Sequence, residues 1–184
     1  MSEFLLISGS LRGKSSNSAL LRTANTLIPN GFRGVPYEGM KDLPHFNPDD
    51  DGDPLPPAVV DLRRQIDGAS ALLICTPEYA GALPGAFKNL LEWLVGGGEA
   101  YRKPIAWINV SGPAAPSGGA DAHDSLRKVV SYLSMEIVEE ACVRIPIARD
   151  AVGEDGLVAD PAIREQRAAA LAALREGAAR VEAL

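Results

Sequence analysis

One short segment gathers most of the side chains able to hold an anion: Gly9-Ser10-Leu11-Arg12-Gly13-Lys14-Ser15-Ser16-Asn17. It follows a short apolar run and opens a helical pattern. Glycines let the backbone turn and approach a ligand, hydroxyls donate, and a helix start offers unpaired N–H groups with a partial positive charge. Arg12 and Lys14 add to the same field. The segment suits a phosphate. The plainer alternative is a flexible turn capped by Ser16 or Asn17.

Two phosphate motifs are excluded by spacing. Gly13-Lys14-Ser15 resembles the end of a P-loop, but the glycine required five positions earlier is Ser8. The neighbouring apolar runs end in Thr76-Pro77 and Val110-Ser111, with no acidic residue to help hold magnesium. The dinucleotide fingerprint fails because Leu11 stands where its second glycine is needed. A second loop, Thr76-Pro77-Glu78-Tyr79-Ala80-Gly81-Ala82-Leu83-Pro84-Gly85, supplies a proline that restrains the backbone, a glycine that permits close approach, and the planar face of Tyr79. Phosphate at one loop and a flat ring at the next describe a mononucleotide such as FMN. The alternative is an ordinary connection in which Tyr79 covers the core.

Other residues rank lower. Asn47-Pro48-Asp49-Asp50-Asp51-Gly52 echoes a calcium loop, but Ala58 stands where its terminal Glu is required, so a solvated acidic loop is expected. His45 and His123 lack a ligand pattern around them, and no metal site is expected. Cys75 and Cys142 lie in apolar surroundings and read as reduced core residues.

These segments need a scaffold, and the pattern of the 184 residues provides one. Residues 4–7, 71–75 and 105–108 are nearly continuous apolar runs, as strands read when both sheet faces are covered. Weaker strand signals lie near 32–37 and 137–145. Between them the period changes to that of helices: Leu20 to Ile28; Leu55 to Ile66; a helix from Pro84 stopping at Gly96-Gly97-Gly98; Ala122 to Leu133; and a last one opened by Asp160-Pro161. Alternating strands and helices predict a parallel sheet covered on both faces, an α/β three-layer sandwich of five strands in the order 2-1-3-4-5. Ligands then sit beyond the strand carboxyl ends. The loops at about 38–56 and 111–119 are long enough to be functional. A composition 46% hydrophobic and 23% charged is that of a globular chain, and its length fits a single domain, residues 1–184. The net charge of −6 disfavours nonspecific nucleic-acid binding. No targeting or spanning segment is read, and a cytoplasmic location is expected.

Taken together, Gly9-Ser10-Leu11-Arg12 with Ser15 and Asn17, then Pro77-Glu78-Tyr79, then Pro84-Gly85-Ala86-Phe87-Lys88-Asn89-Leu90-Leu91-Glu92-Trp93, resemble the NADPH-dependent FMN reductase family. Its members include flavodoxin-like quinone, azo-dye and chromate reductases, and the resemblance runs through residues 3–145. It implies a flavodoxin-like fold in which Ser10, Arg12, Ser15, Ser16 and Asn17 bind the FMN phosphate. Pro77, Glu78, Tyr79 and Gly81 then line the isoalloxazine, partly through backbone groups, and Ser111, Gly118 and Gly119 match the next loop. Two departures stand out: Ala80 replaces an asparagine common in relatives, and the 112–117 loop is slightly longer.

The activity implied is hydride transfer from NADPH or NADH to flavin N5, followed by reduction of a quinone-like or other small acceptor. Backbone N–H groups would stabilise the charge at N1 and O2, with no catalytic acid or base among the side chains. Lys14, ahead of Arg12, is the candidate for a 2′-phosphate of NADPH, and His123 falls near the expected flavin edge. A homodimer or homotetramer is implied, with the stripe Leu83, Phe87, Leu90, Leu91, Leu94 serving the core and any excess a partner. The alternative is a non-enzymatic FMN electron carrier. Carriers usually bury the ring between aromatics of two loops, whereas here 111–119 has none.

Overall fold

The structure is a computed structural model. It describes residues 1–183 apart from Lys14 and Ala114, and the backbone only of Arg149. The role considered for Lys14 therefore lies outside the described residues. The chain alternates β1 (Ser2–Ser8), α1 (Ser16–Asn25), β2 (Phe32–Tyr37), α2 (Pro57–Gly68), β3 (Ala71–Pro77), α3 (Gly85–Glu92), β4 (Pro104–Ser111), α4 (Ala120–Tyr132), β5 (Glu136–Ile137), β6 (Val143–Pro146) and α5 (Pro161–Glu182).

The sheet is parallel, in the order β2-β1-β3-β4-β5, and β6 also pairs β4. The expected fifth strand thus occupies its place in two pieces. Glu136 and Ile137 pair the start of β4, Val143 to Pro146 pair its end, and a short 3-10 turn at Glu139–Ala141 interrupts them. Each strand sends alternate side chains to opposite faces. Leu5, Ile7, Leu72, Ile74, Ile105 and Trp107 pack under α2, α3 and α4. Phe4, Leu6, Leu73, Cys75, Ala106 and Ile108 pack under α1 and α5. Both central strands are therefore buried on both faces, which is why they read as unbroken apolar runs.

One helix differs from expectation. α3 ends at Glu92 rather than at the glycines; the chain continues in turns, with Trp93 and Leu94 still buried. Its stripe Leu83, Phe87, Leu90, Leu91 and Leu94 is wholly used in the core, none more than 7% exposed, so it leaves no excess for a partner. α5 begins as expected: Asp160 caps it, its carboxylate accepting from the N–H groups of Ala162 and Ile163.

The segment between β2 and α2 is fixed from below. Asn89 accepts from Phe46 N (2.7 Å) and donates to Pro44 O (2.9 Å), and the Trp93 indole donates to the same carbonyl (2.9 Å). The acidic stretch is only partly solvated, contrary to expectation. Asp51 pairs with Arg63 at 2.7 Å, both nearly buried, while Arg63 also donates to Trp93 O. No helix among the described residues is long and apolar enough to cross a membrane.

Candidate functional site

β1 and β3 are hydrogen-bonded neighbours, with Ser8 opposite Cys75, and their helices lie on opposite faces of the sheet. The chain therefore opens a crevice between the 9–17 loop and the 77–84 loop, the switch point where such folds take ligands. The two loops approach closely because Gly9 has no side chain. A Cβ there would come within 2.3 Å of Thr76 Oγ1, and Gly9 N donates to Cys75 O at 2.8 Å.

Within the first loop, Ser10 and Arg12 lie at the turn: Arg12 N donates to Ser10 Oγ (3.3 Å), and the Arg12 side chain is exposed. Ser15, rather than Ser16 or Asn17, is the N-cap of α1; its Oγ accepts from Ser18 N at 3.0 Å. The N–H groups of Ser16 and Asn17 precede the first bond of the helix and face outward along its axis. Asn17 is 5% exposed, with its Oδ1 buried and without a partner among the described residues. These five residues lie together, Ser10, Arg12 and Ser15 on the loop and Ser16 and Asn17 in the first turn of α1.

The second loop is a tight turn in which Tyr79 and Ala82 exchange backbone hydrogen bonds at 3.1 Å each way. Ala80 (φ 51°) and Gly81 (φ 69°) both adopt left-handed conformations, as a type I′ turn requires. The turn lifts Tyr79 to 47% exposure, so its ring is presented outward and does not cover the core. The Glu78 carboxylate points elsewhere: it accepts from Ser117 Oγ and from Ala122 N (3.1 Å). It supplies the cap that Gly119 cannot give α4 and ties the second loop to the third. Only its backbone is left to face a ring.

The third loop follows β4, whose Val110 pairs Pro77. Ser111 is buried with an unpartnered Oγ. Gly118 and Gly119 have φ of 58° and 82°, and a Cβ on Gly119 would press on Asn109 Cβ at 3.2 Å. The twelve residues expected at the site thus lie on three loops at the carboxyl edge of adjacent strands.

Composition and spacing gave no sign of the polar group beneath the third loop. Trp107 Nε1 donates to His123 Nδ1 at 3.0 Å, and Asn109 lies 2.9 Å from the same nitrogen. An indole can only donate, so that nitrogen carries no proton. Turning the Asn109 amide end for end pairs its otherwise unpartnered Nδ2 with the ring. Burial, with Arg127 and Arg144 nearby, holds His123 below the usual histidine range. It is a neutral support under the loop, not a free base at its surface.

The donor set fits FMN. A serine-rich helix start with an exposed arginine suits a phosphate, Tyr79 offers a flat face beside it, and Asn17 and Ser111 hold buried polar atoms without partners. An α/β sandwich with such loops at its switch point defines a flavodoxin-like flavoprotein. The family model described as NADPH-dependent FMN reductase matches residues 2–150, and the chain belongs to that family. It is an enzyme, an FMN-dependent NAD(P)H oxidoreductase.

The chain is 35% identical over 161 residues to an NAD(P)H-dependent FMN reductase of Pseudomonas aeruginosa, covering 86% of this chain and 85% of that one. It is 34% identical over 142 residues to a 2-hydroxy-1,4-benzoquinone reductase of a Burkholderia species, covering 73% of each. Among solved structures it resembles the flavoenzyme NAD(P)H:(acceptor) oxidoreductase FerB of Paracoccus denitrificans. That match has a TM-score of 0.85, 26% identity and 98% coverage of both chains.

Proposed function

We propose that residues 1–184 form one FMN-binding domain that reduces quinone-like small molecules at the expense of NADPH or NADH. Ser10, Arg12, Ser15, Ser16 and Asn17 hold the phosphate. Pro77, Tyr79, Gly81 and the Glu78 backbone border the ring on one side, and Ser111, Gly118 and Gly119 on the next. FMN held there would supply two-electron redox chemistry between the nicotinamide and the acceptor. The chain's own part is positional. Arg12 and the first N–H groups of α1 neutralise the phosphate, and the turn at Ala80-Gly81 sets the height of Tyr79. The Glu78 carboxylate is committed to Ser117 and Ala122, so no side chain is assigned as general acid or base.

The observation carrying this reading is the pairing of the serine-rich helix start with an outward Tyr79 on the adjacent loop. A quinone as acceptor is supported by the benzoquinone reductase resemblance. We place the protein in the cytoplasm and assign it a homodimer or homotetramer, the assembly being supported by the exposed Val95 and Tyr132 at the groove between α3 and α4.

The test compares kcat/KM for a benzoquinone, free FMN and an azo dye with each nicotinamide. The protein should purify yellow, bleach with NAD(P)H without oxygen, and favour the quinone. A colourless protein that cannot be reconstituted with FMN would overturn the site. Faster turnover of the azo dye or free FMN would overturn the acceptor.

A further inference from the structure

Arg167 has no role in the site described so far. It lies on α5 and is 1% exposed, with Nε, Nη1 and Nη2 all buried and without a hydrogen-bond partner among the described residues. Buried guanidinium groups ordinarily sit in ion pairs, yet none of the ion pairs among the described residues includes it. Burial pulls it down to about 10, which leaves it charged at neutral pH. The titratable group beside it is Cys75, whose thiol burial pushes up to about 12. That thiol is neutral and offers no counter-charge.

Its height in the fold follows from α5. Gly177 packs against Val138, whose N–H donates to Ile105 O near the start of β4. Arg167 lies ten residues nearer the helix start, about 15 Å at 1.5 Å per residue. That rise equals roughly four to five residues of strand and brings Arg167 level with Asn109 on β4 and its neighbour Thr76 on β3. Side chains lean toward the start of their helix, here toward the carboxyl ends of the strands. Cys75 O, in turn, accepts from Gly9 N, the first residue of the phosphate loop.

We propose that Arg167 is a buried counter-charge for the cofactor phosphate, acting from beneath the 9–17 loop. This rests on the FMN reading above. It makes Arg167 a binding residue rather than a catalytic one: the fold stores an uncompensated cation that a dianion above it neutralises. A charge in the interior is screened far less than one at the surface, so it acts without touching the ligand.

The test measures affinity of the apoprotein for FMN and for riboflavin, which lacks the phosphate, by quenching of flavin fluorescence. Arg167→Met should lose about 10- to 100-fold in FMN affinity with riboflavin affinity unchanged, whereas Arg167→Lys should stay near wild type. Apoprotein Tm should rise in Arg167→Met, because an unpaired buried charge is removed. Parallel loss of both flavins, or a lowered Tm with an unchanged FMN-to-riboflavin ratio, would show a merely structural role and overturn the proposal. If Arg167→Met does not fold, Arg167→Gln is read on the same ratio. Arg12→Ala separates the two readings. A ratio changed by Arg12→Ala but not by Arg167→Met sinks only the counter-charge, while a ratio unmoved by either removes the phosphate from this loop altogether.

Discussion

Single residues at the site carry measurable strain and charge. Ala80 holds φ 51° at a turn position where asparagine or glycine is favoured, because a Cβ crowds the following carbonyl in the left-handed region. Ala80→Asn is therefore expected to stabilise the protein by about 1 kcal/mol, raising Tm by about 2–4 °C. Unchanged or lowered Tm in thermal unfolding would argue against strain there. His123 gives a second outcome. Its neutral form accepts from Trp107, and its folded pKa lies below the ordinary value of roughly 6.5 that it regains on unfolding. The unfolded chain thus binds more protons as pH falls, so the contribution is complete above about pH 6.5 and is lost on acidification toward the folded pKa. Urea midpoints between pH 7.5 and 5.5 should fall more steeply for wild type than for His123→Gln. Parallel lines would refute the assignment.

At the scale of elements, the loops work because helices and strands tie them to one another. Glu78 on the β3 loop caps α4 at Ala122 and accepts from Ser117, which ties the second loop to the third. Glu78→Ala should cost about 1–2 kcal/mol, seen as a lower urea midpoint, with Glu78→Gln partly restoring it. Equal loss in both variants would show that the charge alone matters. Most of this level was legible in the sequence. Buried parallel strands announce themselves as apolar runs, and Asp160-Pro161 marks a helix start by local chemistry, whereas the cap of α1 falls on Ser15, ahead of the expected Ser16 or Asn17. What stayed hidden depends on distant partners. The division between β5 and β6 is set by pairing to two ends of β4, for which a run of apolar residues carries no signal. Asp51 reads as solvated until Arg63 is seen beneath it. Arg167 occupies a position on a helical face that polarity alone assigns to solvent. The twelve residues proposed for the site could be named from sequence because each group is nearly contiguous in the chain, whereas the hydrogen bonds of Glu78 and His123 arise only across the fold.

The whole molecule carries −6 charges, so two copies repel unless they meet where charge is balanced. The groove between α3 and α4 meets that condition. Tyr132 (83% exposed) and Val95 (66%) are its outward apolar side chains, and Lys88, Glu92 and Lys128 lie beside them. A patch holding both signs can face its own copy about a two-fold axis, Lys128 of one opposite Glu92 of the other, as an isologous contact demands. Tyr132→Glu and Val95→Glu each place a further negative charge in the middle of the proposed contact, and each should reduce the mass found by light scattering to that of one chain. Val60→Glu serves as the control: Val60 is also exposed (49%), but on α2 and outside this groove, so its mass should match wild type. If wild type already runs as a single chain, or if Val60→Glu dissociates as readily as Tyr132→Glu, the α3–α4 face is not where copies meet.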